Sequence, residues 1–465
     1  MKRYISIITL LSVFSSVFGQ DDLTFYHLGG ATPQAQSFNA SFFPESRMYL
    51  SLPVLSGVSI DINSDLSYND VFVRNSDSDS VRLDFDNLLS NLKSGDRLKV
   101  DGTISIFQVG HRVGDFGAIS AFVNDRYHAS AYYPSTLMRY FIEGNGQFLD
   151  QEVREDYLGA SAIYFREIGV GYAHQFKVLG TNLRFGARFK YLQGLFQSQT
   201  NPNSGLSMRT SADGYDLNLT FNQPEFYTAG TSMTSGDSIN YFFQNENSGY
   251  GLDLGLDFDL NEKLSFALAL NDIGKITWKQ DVRNYRLINE EISIPEPDLS
   301  NLDDLSASLT DTLESLFEQE EFSEAYSTKL MNRGLASVRY RVLKSGTISA
   351  SVYHETGVRQ NLTKYGAGYT HRFGRTLILS STVSYEENEG VDVGAGFILK
   401  FGTFQLYSSV DSFGNLFEST SVADVNKVNL RFGLNFLFGK KMKKEKEMLS
   451  PFPEEYDLDH LHEIE

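Results

Sequence analysis

The chain of 465 residues carries 59 acidic against 40 basic side chains, a net charge of −19, and no cysteine. This balance excludes a nucleic-acid partner, which needs clustered basic groups to neutralise phosphates. The missing thiols exclude a disulfide framework, a thiolate metal centre and a cysteine nucleophile.

MKRYISIITLLSVFSSVFG sets Lys2 and Arg3 before an apolar run from Tyr4 to Phe18, with small residues before a cut after Gly19. Residues 1–19 read as a signal peptide, the run being too short and too serine-rich for a membrane anchor. Gln20 offers no thiol for a lipid. Beyond this run no segment has the length of a membrane-crossing helix, so a mature chain in a membrane would cross it as a closed barrel.

Residues 20–56 read as an N-terminal plug or arm. The stretch Asp21 to Leu52 is too irregular for a strand and contains FNASFFPESRMYLSLP, with Asn39, Phe42 and Pro44 as candidate plug residues. In a wide barrel such a segment folds into the lumen; the alternative is a periplasmic arm.

From 57 to 439 the pattern is all-β. Leu252, Leu254, Leu256, Phe258 and Leu260 share one parity, and Gly251, Asp253, Gly255, Asp257 and Asp259 the other. Leu183, Phe185, Ala187, Phe189 and Tyr191 stand opposite Arg184, Gly186, Arg188 and Lys190 in the same way, and Val428 to Phe438 opposite Asn429, Arg431, Gly433 and Asn435. In 391–400, Ile398 is the one exception.

Short turns near Gly114, Gly180, Asn261, Gly346, Gly374 and Gly402 take turns with mostly longer polar links at 74–96, 129–156, 198–249, 280–327, 386–390 and 414–424, and a tight one near Asn361. Short turns on one rim and long loops on the other mark an outer-membrane barrel, periplasmic and extracellular respectively. The expectation is fourteen antiparallel strands: 57–73, 97–110, 116–128, 157–177, 183–197, 250–260, 264–279, 328–343, 346–358, 362–373, 376–386, 390–401, 403–413 and 425–438. Most are longer than the strands of soluble sandwiches, the competing architecture. Arg184, Arg188, Lys190, Asp253, Asp257 and Arg431 are the lumen-facing candidates. Tyr191, Tyr250, Tyr340, Tyr369 and Tyr407 are candidates for interfacial girdles or for ordinary strand positions.

A helical insertion is expected at 296–327. Leu299, Leu302, Leu305, Leu309, Leu313, Leu316 and Phe317 recur at steps of three and four after Pro295-Glu296-Pro297, which makes an amphipathic helix in an extracellular loop. It reads as a lid over the barrel mouth, with Leu302, Leu305, Leu309 and Leu313 as its lid face, or as a helix that only shields the rim. Ten acids and no Lys or Arg lie between Glu296 and Glu324, more in keeping with a solvated face than with calcium.

Residues 440–465, five lysines followed by a run of acids, form a charged periplasmic tail, solvated or bound to a partner. Asp77 and Asp79 resemble part of a calcium loop but lack its glycine and closing Glu. The eight histidines are scattered. A Ser/His pair would need Ser349, Ser351 or Ser384 to reach His354 or His371. No catalytic residue, cofactor or metal is expected, and the chain is not expected to be an enzyme.

SFNASFFPESRMYLSLPVLSG at 37–57, KLSFALALNDIGKITW at 263–278 and the acidic helix before Thr328 resemble an uncharacterised family of Bacteroidota outer-membrane proteins known as a domain of unknown function. The family's Asn-Pro-Ala-Phe start appears here as Asn39-Ala40-Ser41-Phe42, without the Pro, while Pro44 and Leu52-Pro53 remain. More remotely, NDIG-x-x-x-W from Asn271 to Trp278 is similar to long-chain fatty-acid transporter barrels and to the carrier barrel of type IX secretion. The resemblance implies fourteen strands, an N-terminal lumen plug and no catalytic residues. The functional expectation is passive transport of small molecules, apolar ones included, across the cell outer membrane. The alternative is a non-transporting scaffold or carrier subunit of a secretion or surface-assembly complex. Expected partners are outer-membrane lipid and other envelope proteins.

Overall fold

The computed structural model describes residues 23–51, 56–74, 81–178, 180–214, 216–234, 246–294, 317–387, 390–412 and 426–439. The leader, Asp77 and Asp79, the tail and residues 295–316, with Leu302, Leu305, Leu309 and Leu313, lie outside them; the described end of the helix expected over 296–327 is instead extended, because Gln319–Phe322 pairs with Asn284–Leu287 and Tyr326–Lys329 with Lys275–Trp278.

Fourteen antiparallel strands form one closed wall: β1 (Met48–Ser51 and Val58–Ser64), β2 (Arg97–Val113), β3 (Gly117–Tyr132), β4 (Ala160–Val178), β5 (Thr181–Thr200), β6 (Ser248–Asp259), β7 (Leu264–Trp278), β8 (Tyr326–Lys329 and Arg333–Arg341), β9 (Gly346–Glu355), β10 (Leu362–Phe373), β11 (Leu377–Glu386), β12 (Gly390–Phe401), β13 (Phe404–Val410) and β14 (Lys427–Phe438). Each pairs with its chain neighbour, and β1 pairs with both β2 and β14, as in Ile60↔Gly102 and Ile60↔Leu430. The expected strand count is therefore met, and closure leaves no unpaired edge. At the tight β4–β5 and β12–β13 turns, Gly180 and Gly402 adopt φ of +82° and +60°, a region that costs an L side chain strain.

Two expected boundaries are corrected. The wall begins at Met48 rather than 57, because Met48–Ser51 pairs with β14 and β2. The first strand ends at Ser64 rather than 73. There Ser67 caps the turn Tyr68–Val71: its Oγ accepts the Asp70 N–H at 3.2 Å, and Asp70 accepts the Ser67 N–H at 2.7 Å. The long links also fold. Glu152–Glu155, Gly205–Thr210, Leu217–Asn222 and Glu291–Ile294 make a separate four-stranded sheet, cored by Tyr140, Leu206, Met208, Leu219 and Ile292.

One parity of the wall is apolar and exposed, with Ile119, Val170, Phe189, Tyr250, Leu268, Tyr340, Val352, Tyr365, Val383, Val391, Leu406 and Phe432 running from β3 round to β14. The other parity is buried and largely charged or hydroxylic. Among the described residues no helix is long and apolar enough to cross a membrane.

Candidate functional site

The interior is occupied by residues 23–45. Leu23–Leu28 is a short helix, α1, every residue of it buried, followed by two tight turns at Gly29–Ala31 and Pro33–Ser37. Leu23, Phe25, Tyr26, Leu28, Phe38 and Phe42 pack against inward-facing Leu335, Tyr353, Leu362, Ile378, Ile398 and Tyr407. Ile398 breaks the alternation of β12 because it faces this cluster. Tyr407 is likewise not a girdle residue: it is fully buried, its ring 5.2 Å from Phe25 and its hydroxyl on the Ser56 carbonyl at 2.8 Å.

Polar contacts fix the rest of the segment. The Thr24 N–H meets Asp411 at 3.1 Å, and Tyr26 shares a hydrogen bond with Ser337 at 2.6 Å. Gln34 and Asn435 exchange amide bonds at 2.7 and 2.9 Å, while Gln405 donates to the Ala31 carbonyl at 2.7 Å. Asn39 donates to the Leu256 and Leu268 carbonyls and uses its Oδ1 to cap Ser41. Asn271 donates to the Phe38 carbonyl at 2.8 Å. Phe42 is buried beneath the Arg339 guanidinium, and the Pro44 carbonyl lies 3.5 Å from Arg112.

Glycines clear the space. A Cβ on Gly186 would lie 2.0 Å from the Ala40 carbonyl oxygen, and one on Gly255 would lie 2.1 Å from Asn39 Oδ1. Gly186→Ala should therefore weaken docking of the segment by about 1–3 kcal/mol and leave the wall intact. Hydrogen exchange should report faster exchange in residues 23–45 and unchanged protection in β4–β6.

Two buried groups link this docking to pH. His27 lies against Ser351 at 3.2 Å, with Tyr26, Thr370 and Arg339 around it. Burial, helped by Arg339, pushes its imidazole down to about 3 from an ordinary 6.5. Burial alone would push the Glu45 carboxyl up, but Arg372 and Lys400, the latter 2.6 Å away, outweigh it and hold the group at about 2. Both folded values are depressed, so both contributions are complete above the ordinary values and fade as pH falls, His27 between 6.5 and 3 and Glu45 between 4.5 and 2. Protection factors of residues 23–45, corrected for the intrinsic exchange rate, should fall on acidification, and His27→Gln should flatten the part of the fall between pH 6.5 and 4.5, above the range of Glu45.

The remaining interior on β3–β8 is an ion-pair lattice. Lys190 pairs with Asp253 at 2.6 Å, with Asp272, and with Glu167 at 3.6 Å. Arg126 bridges Glu167 and Asp272 at 2.8 Å each, and Arg333 holds the other Asp272 oxygen at 2.6 Å. Arg188 reaches Asp253 at 3.4 Å and lies over the Phe122 ring. Arg184 takes Asp257 and Asp259 at 2.9 Å, and Arg339 also holds Asp257. Arg431 lies over the rings of Phe25 and Phe38, at 4.7 and 4.9 Å. All six charged candidates from the sequence are buried. Arg126, Glu167, Asp272, Arg333 and Arg339 were not singled out. What sets Asp272 apart lies in the fold and not in the sequence: at Asn271-Asp272 the β6–β7 register shifts and Asp272 takes φ +62°, with its two oxygens on Arg126, Lys190 and Arg333.

At the long-link rim, two contacts cross the interior. Lys99 of β2 pairs with Glu355 of β9 at 2.8 Å. From the tight turn after β9, the Arg359 guanidinium donates to the carbonyls of Asp156, Leu158, Asn201 and Ser204 at 2.6–3.2 Å. The serine–histidine pairing considered from sequence is not formed as considered: Ser351 meets His27, His354 meets Thr363 and His371 meets Ser345 and Tyr369. Among the described residues no three His, Asp or Glu stand together as a metal ion requires. Trp278, which closes the NDIG-x-x-x-W stretch, is fully buried and donates to Thr328 at 3.1 Å.

A closed fourteen-stranded antiparallel barrel, with a buried N-terminal segment packed on its inward-facing residues and a buried ion-pair lattice, is the class these features define. The chain belongs to the Family of unknown function (DUF5723), whose model matches residues 41–411. No curated protein matches it. Among solved structures it is similar to the TodX deltaS2S3 mutant monoaromatic hydrocarbon channel, at 10% identity over 91% of this chain and 96% of that one, TM-score 0.43. The toluene transporter TbuX of Ralstonia pickettii gives 10%, 91%, 99% and 0.42, and a Pseudomonas aeruginosa FadL homologue 10%, 90%, 94% and 0.37.

Proposed function

We propose that the protein is an outer-membrane barrel that passes small molecules passively when its N-terminal segment, acting as a plug, moves. One observation carries the reading. Residues 23–45 fill the interior without belonging to any wall ladder, so their displacement breaks no strand pairing, whereas the apolar parity of the wall suits lipid. The short turns would then lie on the periplasmic side and the folded links outside. Apart from the apolar cluster under residues 23–45, the inward parity is charged and hydroxylic, which favours hydrophilic solutes within the small-molecule range that the sequence left open to apolar ones.

The cross-lumen pairs Lys99–Glu355 and Arg359 with its four carbonyls favour a second reading, a sealed barrel serving as scaffold or carrier in an envelope complex. Reconstitution separates the two. Liposomes bearing the protein should swell in small sugars or amines, and faster with Arg359→Ala. Absence of swelling for both proteins would remove the transport reading and leave the scaffold.

A further inference from the structure

At the long-link rim a cavity of about 420 Å³ opens between the Lys93–Arg97 turn ahead of β2, the residues leading into β10 and the end of β11. Its size is that of small-molecule sites. Its lining is unlike a hydrocarbon site: Leu362 is the sole apolar side chain, and Asp65, Asp96, Glu386 and Glu387 face Lys93 and Arg97. Glu386 is drawn toward Lys364 and Lys427, 3.5 and 3.7 Å away. That leaves three carboxylates against two cations in the remainder of the wall.

The walls are held in place before any ligand arrives. Asp96 accepts the Lys93 N–H and Asp65 the Arg97 N–H, both at 2.7 Å. Gln360 reaches back to the Gly95 carbonyl at 3.4 Å, and its neighbour Arg359 is anchored in the four carbonyls across the mouth. Beneath the cavity runs the Lys99–Glu355 pair.

We propose that this cavity binds a small hydrophilic solute carrying an amine, as the first site met from the long-link side. A hydrocarbon here would strip water from carboxylates and amides and return no hydrogen bond. An anion would meet an acidic surplus. An ammonium group is drawn to Asp65, Asp96 and Glu387, while hydroxyls or amides of the same solute meet the Asn91 and Asn361 amides that also line the cavity. The inference deepens the transport reading by naming its solute class and rests on that reading.

The test is calorimetric titration of the full chain in detergent with putrescine, glucosamine, glucose and octanoate, run beside liposome swelling. Putrescine and glucosamine should bind saturably, glucose more weakly and octanoate not at all. The double variant Asp96→Asn/Glu387→Gln should weaken amine binding roughly tenfold, the sum of two exposed ion pairs, and should keep the heat-modifiable mobility of a folded barrel. Added salt should weaken the amines and spare glucose. Unsaturable amine heats, binding indifferent to the double variant, or octanoate competing with putrescine would each overturn the proposal. Binding without swelling would sustain the site and remove transport; swelling without binding would do the reverse.

Discussion

Deleting residues 23–45 should raise single-channel conductance in planar bilayers at least roughly tenfold over the intact chain, since barrels between the side-chain-filled and porin sizes hold substantial space once emptied. The wall keeps its fourteen ladders because the segment contributes to none of them. The cost falls on Ile378, Ile398, Tyr407 and Leu335, which lose their apolar partners, at about 1.5–3 kcal/mol for each side chain fully re-exposed. Arg372 and Lys400 lose Glu45, and Arg431 loses the rings of Phe25 and Phe38, so the emptied channel should prefer anions. An unchanged conductance would place the block at the Lys99–Glu355 and Arg359 crossings.

Asp272→Asn should destabilise the barrel by about 3–5 kcal/mol, the range for breaking a buried ion pair from one side. Asp272 is completely buried; one oxygen receives Arg126 and Lys190, the other Arg333, and its N–H donates to Asp253 at 2.8 Å. The lattice around it sets Lys190, Arg126, Arg333 and Arg188 against Glu167, Asp253 and Asp272. Losing one carboxylate leaves four cations facing two anions in a water-poor interior. The left-handed φ of +62° suits Asn as well as Asp, so the loss reports on charge and not on backbone. Denaturant unfolding would measure it, and adding Lys190→Met should restore part of the stability if the two residues act as a pair.

Much of the wall was legible because strand periodicity is a local property. Leu252 to Leu260 and Asp253 to Asp259 separate by parity alone, and Gly180 and Gly402 announce their turns. Met48–Ser51 was not legible, since four residues between Pro44 and Pro53 show no alternation; its strand character comes from the neighbours on either side. Leu206 and Met208, and Leu217, Leu219 and Phe221, did alternate, but in links otherwise polar enough to read as loops. Parity tells which charges face inward and not which of them meet: Arg126 finds Asp272, and Lys99 finds Glu355, across several intervening strands. Nor does it show that Ile398 and Tyr407 turn inward for a partner nearly the whole chain away.

The seam between β1 and β14 imposes an order on assembly. Ser51 and Asn435, bonded at 2.6 Å, are 384 positions apart, so the contact that shuts the wall is among the most distant in the sequence and closes a loop of most of the chain. Until β14 arrives the sheet has two raw edges, and the segment immediately ahead of β1 is already tethered to one of them. Its contacts with Asn435 and Arg431 of β14 form only once that strand is in place. The segment and the seam thus complete one another, and neither has its full set of contacts until the last strand arrives.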